Sequence, residues 1–254
     1  MHTKSEDRSK SGQKRRGVKS GRFDDILQYQ GRSALRSDSR IRRKAILEAA
    51  LRVIERDGVR GVKHRAVAAE ADVPLAATTY YFDDIHSLLH DAFVHYVETR
   101  LSTDSARLQE QGLELLTTIL GEDQLQKESG AGMSLQDRRR LGKGIVAVLL
   151  AHVKAQVESA SERHVEVAFR HEALRNAELA RLVAIPHRLQ LEAIQDFFSV
   201  LGSPSPLADA QVTMGTLFYL EYNLLLVGEN ESQWSLAEAT LRRMVDGLLR
   251  LPEE

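Results

Sequence analysis

The stretch VPLAATTYYFDD, residues 73–84, sets a proline ahead of two threonines, two tyrosines and a phenylalanine, and ends on two aspartates. Alone, aromatics and hydroxyls at this density suit a strand, a ligand cage or a contact surface. The flanking residues decide between them. Upstream, Ile41, Ala45, Leu47, Leu51, Val53 and Ile54 follow the three-and-four spacing of an amphipathic helix; Asp38 or Ser39 can cap its start, and Gly58 stands where it should stop. A short segment follows, VKHRAVAAEAD (62–72). Downstream, DDIHSLLHDAFVHYVETRL (83–101) reads as one long helix, with Asp83 and Asp84 favouring its positive N-terminal end.

A proline in the first turn of a helix forfeits no hydrogen bond, so Pro74 sets the start of a second short helix. The small apolar residues Val67, Ala68, Ala71 and Val73 allow two short helices to meet across a tight turn at Ala71–Asp72–Val73. That is the helix-turn-helix plan, whose second helix enters the DNA major groove. The presented helix then carries Leu75 to Tyr81, with Phe82 pointing inward as a core anchor. Thr78 and Thr79 have the methyl and hydroxyl groups that suit base edges, and Tyr80 and Tyr81 have hydroxyls that suit phosphates. Tyr80 is the preferred aromatic contact; Tyr81 is the more apt to pack against the first helix. Arg42, Arg43, Lys63, His64 and Arg65 are the candidate phosphate contacts.

The order of these segments resembles the DNA-binding region of TetR/AcrR-family transcriptional regulators, whose pattern runs T-x-x-x-I-A-x-x-A-G-V-S-x-G-x-x-Y-x-H-F-x-x-K-x-x-L. Val67–Ala68 takes the place of I-A, Ala71–Asp72–Val73 of A-G-V, Pro74 of the serine, Tyr81–Phe82 of H-F, and Leu88 of the last leucine. The resemblance covers residues 41–101; beyond them only the helical layout and total length are similar. Thr79 stands where the family keeps a DNA-facing tyrosine and Ala76 where it keeps a glycine. Ile85 replaces its phosphate-binding lysine, beside two carboxylates that would repel phosphate. The resemblance implies a C-terminal domain that binds an effector and dimerises through its last two helices. It also implies a near-palindromic operator and, most simply, a repressor released by a small molecule.

The composition is consistent with this plan. The 254 residues include no cysteine, which excludes disulfides, thiolate zinc sites and thiol catalysis. The longest apolar run, IVAVLLA (145–151), is far short of a membrane span, and the basic N-terminus lacks an apolar signal core; a cytoplasmic protein is expected. Residues 1–101 carry 20 Lys and Arg against 14 Asp and Glu, whereas residues 102–254 carry 15 against 22, so a polyanion partner is expected at one end only. Residues 1–39 lack sustained periodicity and are expected to form a disordered basic tail. Its cluster KRRGVKSGR (14–22) is either an arm with non-specific affinity for nucleic acid or simply solvated. Helices are expected at 104–121, 136–159, 161–176, 178–201, 206–228 and 235–250, with Pro186 kinking one of them. No strand alternation occurs. The expected fold is all-α: a tail (1–39), a three-helix helix-turn-helix DNA-binding domain whose last helix links onward (40–101), and a larger helical ligand-binding and dimerisation domain (102–254).

Apolar residues along 206–228 (Leu207, Val212, Leu217, Leu220, Leu224 and Leu225) and along 235–250 (Leu236, Leu241, Met244, Val245, Leu248 and Leu249) supply a four-helix dimer interface or, alternatively, internal core. Polar groups on apolar helices mark the candidate effector pocket: His152, Glu166, Phe169 and Arg170, then Phe218, Tyr219, Tyr222 and Asn223, with Glu221 in the same run. Arg170 and Glu166, four apart, can equally pair with each other, and Asn223 in a leucine-rich run needs a partner if buried. His86 and His90 are four apart, with Asp91 and His95 near, yet no further ligand is identifiable and no metal is assigned. No H-E-x-x-H, G-x-S-x-G, phosphate loop or G-x-G-x-x-G is present, so neither an enzyme nor a cofactor is expected. The rival reading is a helical binding or scaffold protein without specific DNA binding.

Overall fold

The computed structural model describes residues 27–32, 37–121 and 133–252, and among them every regular element is helical. Helix α1 (Ser37–Asp57) ends at Gly58, whose φ of 72° is the left-handed conformation that costs glycine nothing. A single 3-10 turn (Val59–Gly61) leads to α2 (His64–Glu70), and α3 (Leu75–Tyr81) starts directly after Pro74. The turn between them passes through Asp72 at φ 52°. This is the position where the resembled pattern keeps glycine; Asp is one of the few side chains that tolerate the left-handed region.

Helix α4 (Ile85–Tyr96) is fixed at its start by a capping box: the Asp84 carboxylate accepts from the Ser87 N–H, and Ser87 Oγ accepts from the Asp84 N–H. Sequence periodicity places a break near residue 102. Instead the chain passes through a π-helical turn (Val97–Leu101) straight into α5 (Ser102–Leu120), so one helical run extends from Ile85 to Leu120. The chain then forms α6 (Leu135–Glu158), α7 (Ala160–Ala173), α8 (Ala177–Val200), α9 (Pro206–Val227) and α10 (Glu231–Leu248). Helix α8 continues through Pro186, which is buried. Helix α10 starts before the expected Ser235 because the Asn230 side chain caps it, accepting from the Gln233 N–H.

Two apolar cores organise the chain. The first gathers Ile46, Val53 and Ile54 of α1, Val67 of α2, Phe82, and Leu88 and Phe93 of α4, and is closed by Val165 and Phe169 of α7 and Leu179 and Leu182 of α8. The second joins Leu116 of α5, Leu141 and Val153 of α6, Leu217, Leu220 and Leu224 of α9, and Leu241 and Val245 of α10. No described helix is long and apolar enough to cross a membrane.

The expected disorder through residue 39 does not hold for 27–32 or 37–39. Residues 37–39 are the first turn of α1, and residues 27–32 form an extended strap docked on the first core through Leu27. The Gln30 and Gly31 N–H groups donate to the two Asp91 carboxylate oxygens at 2.7 and 2.8 Å, and the Arg32 N–H donates to the Tyr81 carbonyl at 3.0 Å. The basic cluster 14–22 lies outside the described residues.

Candidate nucleic-acid interface and ligand cavity

With seven residues, α3 can seal only one side, and it does so with Thr78 and Tyr81, followed by Phe82. Leu75, Ala76, Thr79 and Tyr80 are left exposed, Tyr80 at 57%. Two of the expected contacts are therefore corrected. Thr78 is wholly buried and its hydroxyl donates to the Leu75 carbonyl at 2.8 Å, so the backbone one turn back satisfies the group that suggested a base contact. Tyr81 is buried, with its hydroxyl 2.9 Å from Ser39 Oγ. Tyr80 stands edge-on to Tyr81 and carries the Arg32 guanidinium over its ring at 5.2 Å.

The basic candidates divide similarly. Arg42, Lys63 and Arg65 are exposed. His64 is half-buried, with Nδ1 enclosed and lacking a hydrogen-bond partner. Arg43 is no free cation: it pairs with the fully buried Asp91 carboxylate at 2.5 Å and stacks on the Tyr29 ring at 4.4 Å. Burial alone would push the Asp91 carboxyl up; the hydrogen bonds from His90, Gln30 and Gly31 and the charge of Arg43 together hold it below its ordinary value. Asp83 is exposed and lies 3.8 Å from Arg32, while Ile85 is half-buried. The histidine cluster is dispersed, with His90 directed to Asp91 and His95 bonded to Glu48 of α1 at 2.8 Å.

At the other end of the chain, residues of α5, α6, α7, α8 and α9 line a cavity of about 660 Å³, together with Met244, Val245 and Leu248 of α10. Its walls are mostly aliphatic and aromatic, including Leu116, Leu149, Phe197, Met214 and Leu217. Of the candidate effector-pocket residues, His152, Glu166 and Phe218 line it. The other expected pocket residues do not. Phe169 is buried in the first core against Phe93, at 4.9 Å between ring centres. Arg170 stays outside, stacked on Phe218 at 3.9 Å and paired with Glu166 at 2.7 Å. Tyr219 and Tyr222 point to the exposed face of α9, and the half-buried Asn223 is not on the wall.

Arg163, Gln156, Ser105 and Gln190 also line the cavity, and sequence reading passed over them. Arg163 holds the polar end together, 2.6 Å from Glu166, 3.4 Å from Glu221 and 3.3 Å from the Tyr96 hydroxyl. The signal was the face shared by Arg163, Glu166 and Arg170, three and four residues apart, on a helix that also buries Val165 and Phe169. Burial, only partly countered by Arg163, pushes the Glu221 carboxyl up to about 7, and burial likewise draws the His152 imidazole down to about 4.

The last two helices divide the residues offered for a dimer interface. Leu217, Leu220, Leu224, Leu241 and Val245 are internal core. Leu207, Val212, Tyr219, Tyr222 and Leu226 of α9 and Leu236 of α10 remain exposed. From Val212, α9 presents Gly215, Tyr219, Tyr222 and Leu226 at steps of three and four, the repeat of a helix-packing seam.

No protein-family model and no curated protein matches the chain. Solved structures do. A TetR-family transcriptional regulator from Mesorhizobium loti is similar at a TM-score of 0.57 and 14% identity, over 85% of this chain and 98% of that one. One from Rhodococcus sp. is similar at 0.52 and 21% identity, over 82% and 99%. The transcriptional regulator FadR from Bacillus subtilis, solved in complex with stearoyl-CoA, is similar at 0.50 and 14% identity, over 80% and 98%. At such identities the likeness is one of backbone architecture, and its extent takes in the α1–α4 unit and the helices behind it alike. The chain has the fold of the TetR-family transcriptional regulators, an N-terminal helix-turn-helix unit backed by a larger C-terminal helical domain.

Proposed function

We propose that this chain is a ligand-responsive DNA-binding transcriptional regulator of the TetR/AcrR type, non-enzymatic and cytoplasmic. It acts as a homodimeric repressor on a near-palindromic operator and is released by a small molecule. The observation that carries the reading is α3, a short helix held rigidly on one side and offering Leu75, Ala76, Thr79 and Tyr80 to solvent on the other. Arg42 of α1 and Lys63 and Arg65 at the start of α2 are exposed, and they are the proposed contacts to phosphates flanking a groove-bound α3. The exposed seam of α9 with Leu236 of α10 is the proposed dimer surface, and two helices per subunit make a four-helix interface. Gly215 supports it. A Cβ there would meet nothing within 4 Å in the single chain, yet glycine inside an exposed helix costs about 0.5–1 kcal/mol, a cost consistent with a partner backbone approaching closely. The effector occupies the 660 Å³ cavity, a volume and lining suited to a small molecule, and the FadR relative was solved with such a ligand.

Binding of the purified protein to the DNA upstream of its own gene tests this, against a scrambled fragment of equal length over a series of salt concentrations. Preference for the native fragment, with affinity falling as salt rises, is the expected result. Equal affinity for both fragments leaves only the helical binding protein.

A further inference from the structure

The charge on the cavity wall is one-sided. Among the described residues five carboxylates line it, the buried Glu166 and Glu221, the half-buried Asp104, and the exposed Glu110 and Asp196, against one guanidinium, Arg163. That guanidinium is already engaged with Glu166, Glu221 and Tyr96. Glu166 is fully met, by Arg163 at 2.6 Å and by Arg170 at 2.7 Å. Glu221 is not: its partners are Arg163 at 3.4 Å and His152 at 3.6 Å, and the imidazole is uncharged at neutral pH. Close by on α6, Gln156 is 3% exposed and its Oε1 has no hydrogen-bond partner. A buried acceptor left unpaired costs stability, as does a carboxylate kept in an apolar wall, and a bound donor relieves both. An anionic head group would face Glu166 and Glu221 across the same space, and among the buried side-chain atoms of the described lining residues Arg163 Nε is the one unpartnered donor it would find.

Taking the cavity as the effector site proposed above, we infer that its ligand is an organic cation. An aliphatic or aromatic body fills the apolar walls, and one protonated amine donates to the Glu221 carboxylate and to Gln156 Oε1. Charge-assisted hydrogen bonds of this kind are roughly twice as strong as neutral ones, which sets the selectivity to be measured.

The test is calorimetric titration of the full-length protein, near pH 8, with three probes of one chain length: decylammonium, decanol and decanoate. Decylammonium is expected to bind one per chain and about tenfold or more tighter than either of the others. Glu221→Gln should remove that advantage, leaving decylammonium no tighter than decanol in the same variant. Gln156→Leu, which loses only a neutral acceptor, should weaken decylammonium by a smaller factor and carries the test if Glu221→Gln fails to melt cooperatively. Decanoate or decanol binding as tightly as decylammonium overturns the cationic assignment while leaving the cavity as an effector site. Decylammonium affinity that is unchanged in both folded variants overturns it equally. Binding of none of the three overturns the assignment together with the cavity's role.

Discussion

Thr79 and Tyr80 occupy the open side of a helix whose other side is closed by Thr78, Tyr81 and Phe82, and this sets what each substitution should do. Thr79→Ala and Tyr80→Ala are each expected to lower operator affinity by about 1–3 kcal/mol, the cost of a lost specific contact, in gel-shift titrations with the dimer intact by sedimentation. Unchanged affinity in both would show that α3 presents a different face. Asp72 holds a left-handed turn that a β-branched side chain tolerates poorly. Asp72→Val should therefore lower stability by about 1–2 kcal/mol in denaturant unfolding, with Asp72→Gly close to the parent. Glu221 yields a pH signature. Its carboxyl, ordinarily at 4.5 and raised to about 7 in the fold by burial, keeps a proton in the folded chain where the unfolded chain has lost it. The group's contribution is thus fully present below 4.5 and lost as pH rises through 7. Glu221→Gln should match the parent near pH 5 and exceed it by about 2–3 kcal/mol near pH 8.

Among the elements, the seam of α9 and the strap 27–32 make separate demands. Tyr219 and Tyr222 sit on the same exposed stripe as Gly215, so Tyr219→Asp should leave the single chain folded and shift the sedimentation equilibrium towards monomer, by about 2 kcal/mol or more of association energy if this stripe is the interface core. A dimer that persists at the parent's affinity would move the interface elsewhere. The strap depends on one carboxylate. Asp91, with no side-chain exposure, accepts from Gln30, Gly31 and Arg43 at once. Asp91→Ala strands the Arg43 guanidinium and both N–H groups, and should cost about 3–5 kcal/mol in unfolding experiments, the range for breaking a buried pair from one side.

Across the whole molecule, one helical run joins the proposed DNA-reading helix to the cavity. It begins at the Asp84 cap directly behind α3, passes Tyr96, and as α5 forms a wall of the cavity. Tyr96 is the direct link: its ring lies in the first core, and its hydroxyl meets Glu166 and Arg163 of the cavity's polar end, both at 3.3 Å. A ligand that rearranges those two side chains changes what α4 packs against, and a ligand shifts an equilibrium only through such differential contacts. Tyr96→Phe is expected to keep operator affinity without effector within about twofold and to reduce effector-induced release by about 1 kcal/mol of coupling. Full release in the variant would direct the coupling through another contact, such as Arg100 with Glu48 and Glu162.

What residues 37–101 could say about themselves was local and periodic, and that was enough for the helix-turn-helix. Proline at a helix start, small residues at a tight turn, a carboxylate cap and an inward Phe82 are dictated within a few positions of each other. The described helices of the second half followed from periodicity in the same way, apart from the break near residue 102. The folded chain alone decided which polar side chains face water, because a hydroxyl or a charge can be satisfied by partners from any distance along the sequence. Thr78 found a carbonyl one turn back, Arg43 found Asp91 48 residues away, and Glu221 was brought to Arg163 from 58 residues off. The strap and the cavity wall are both built from such encounters, which local periodicity does not encode.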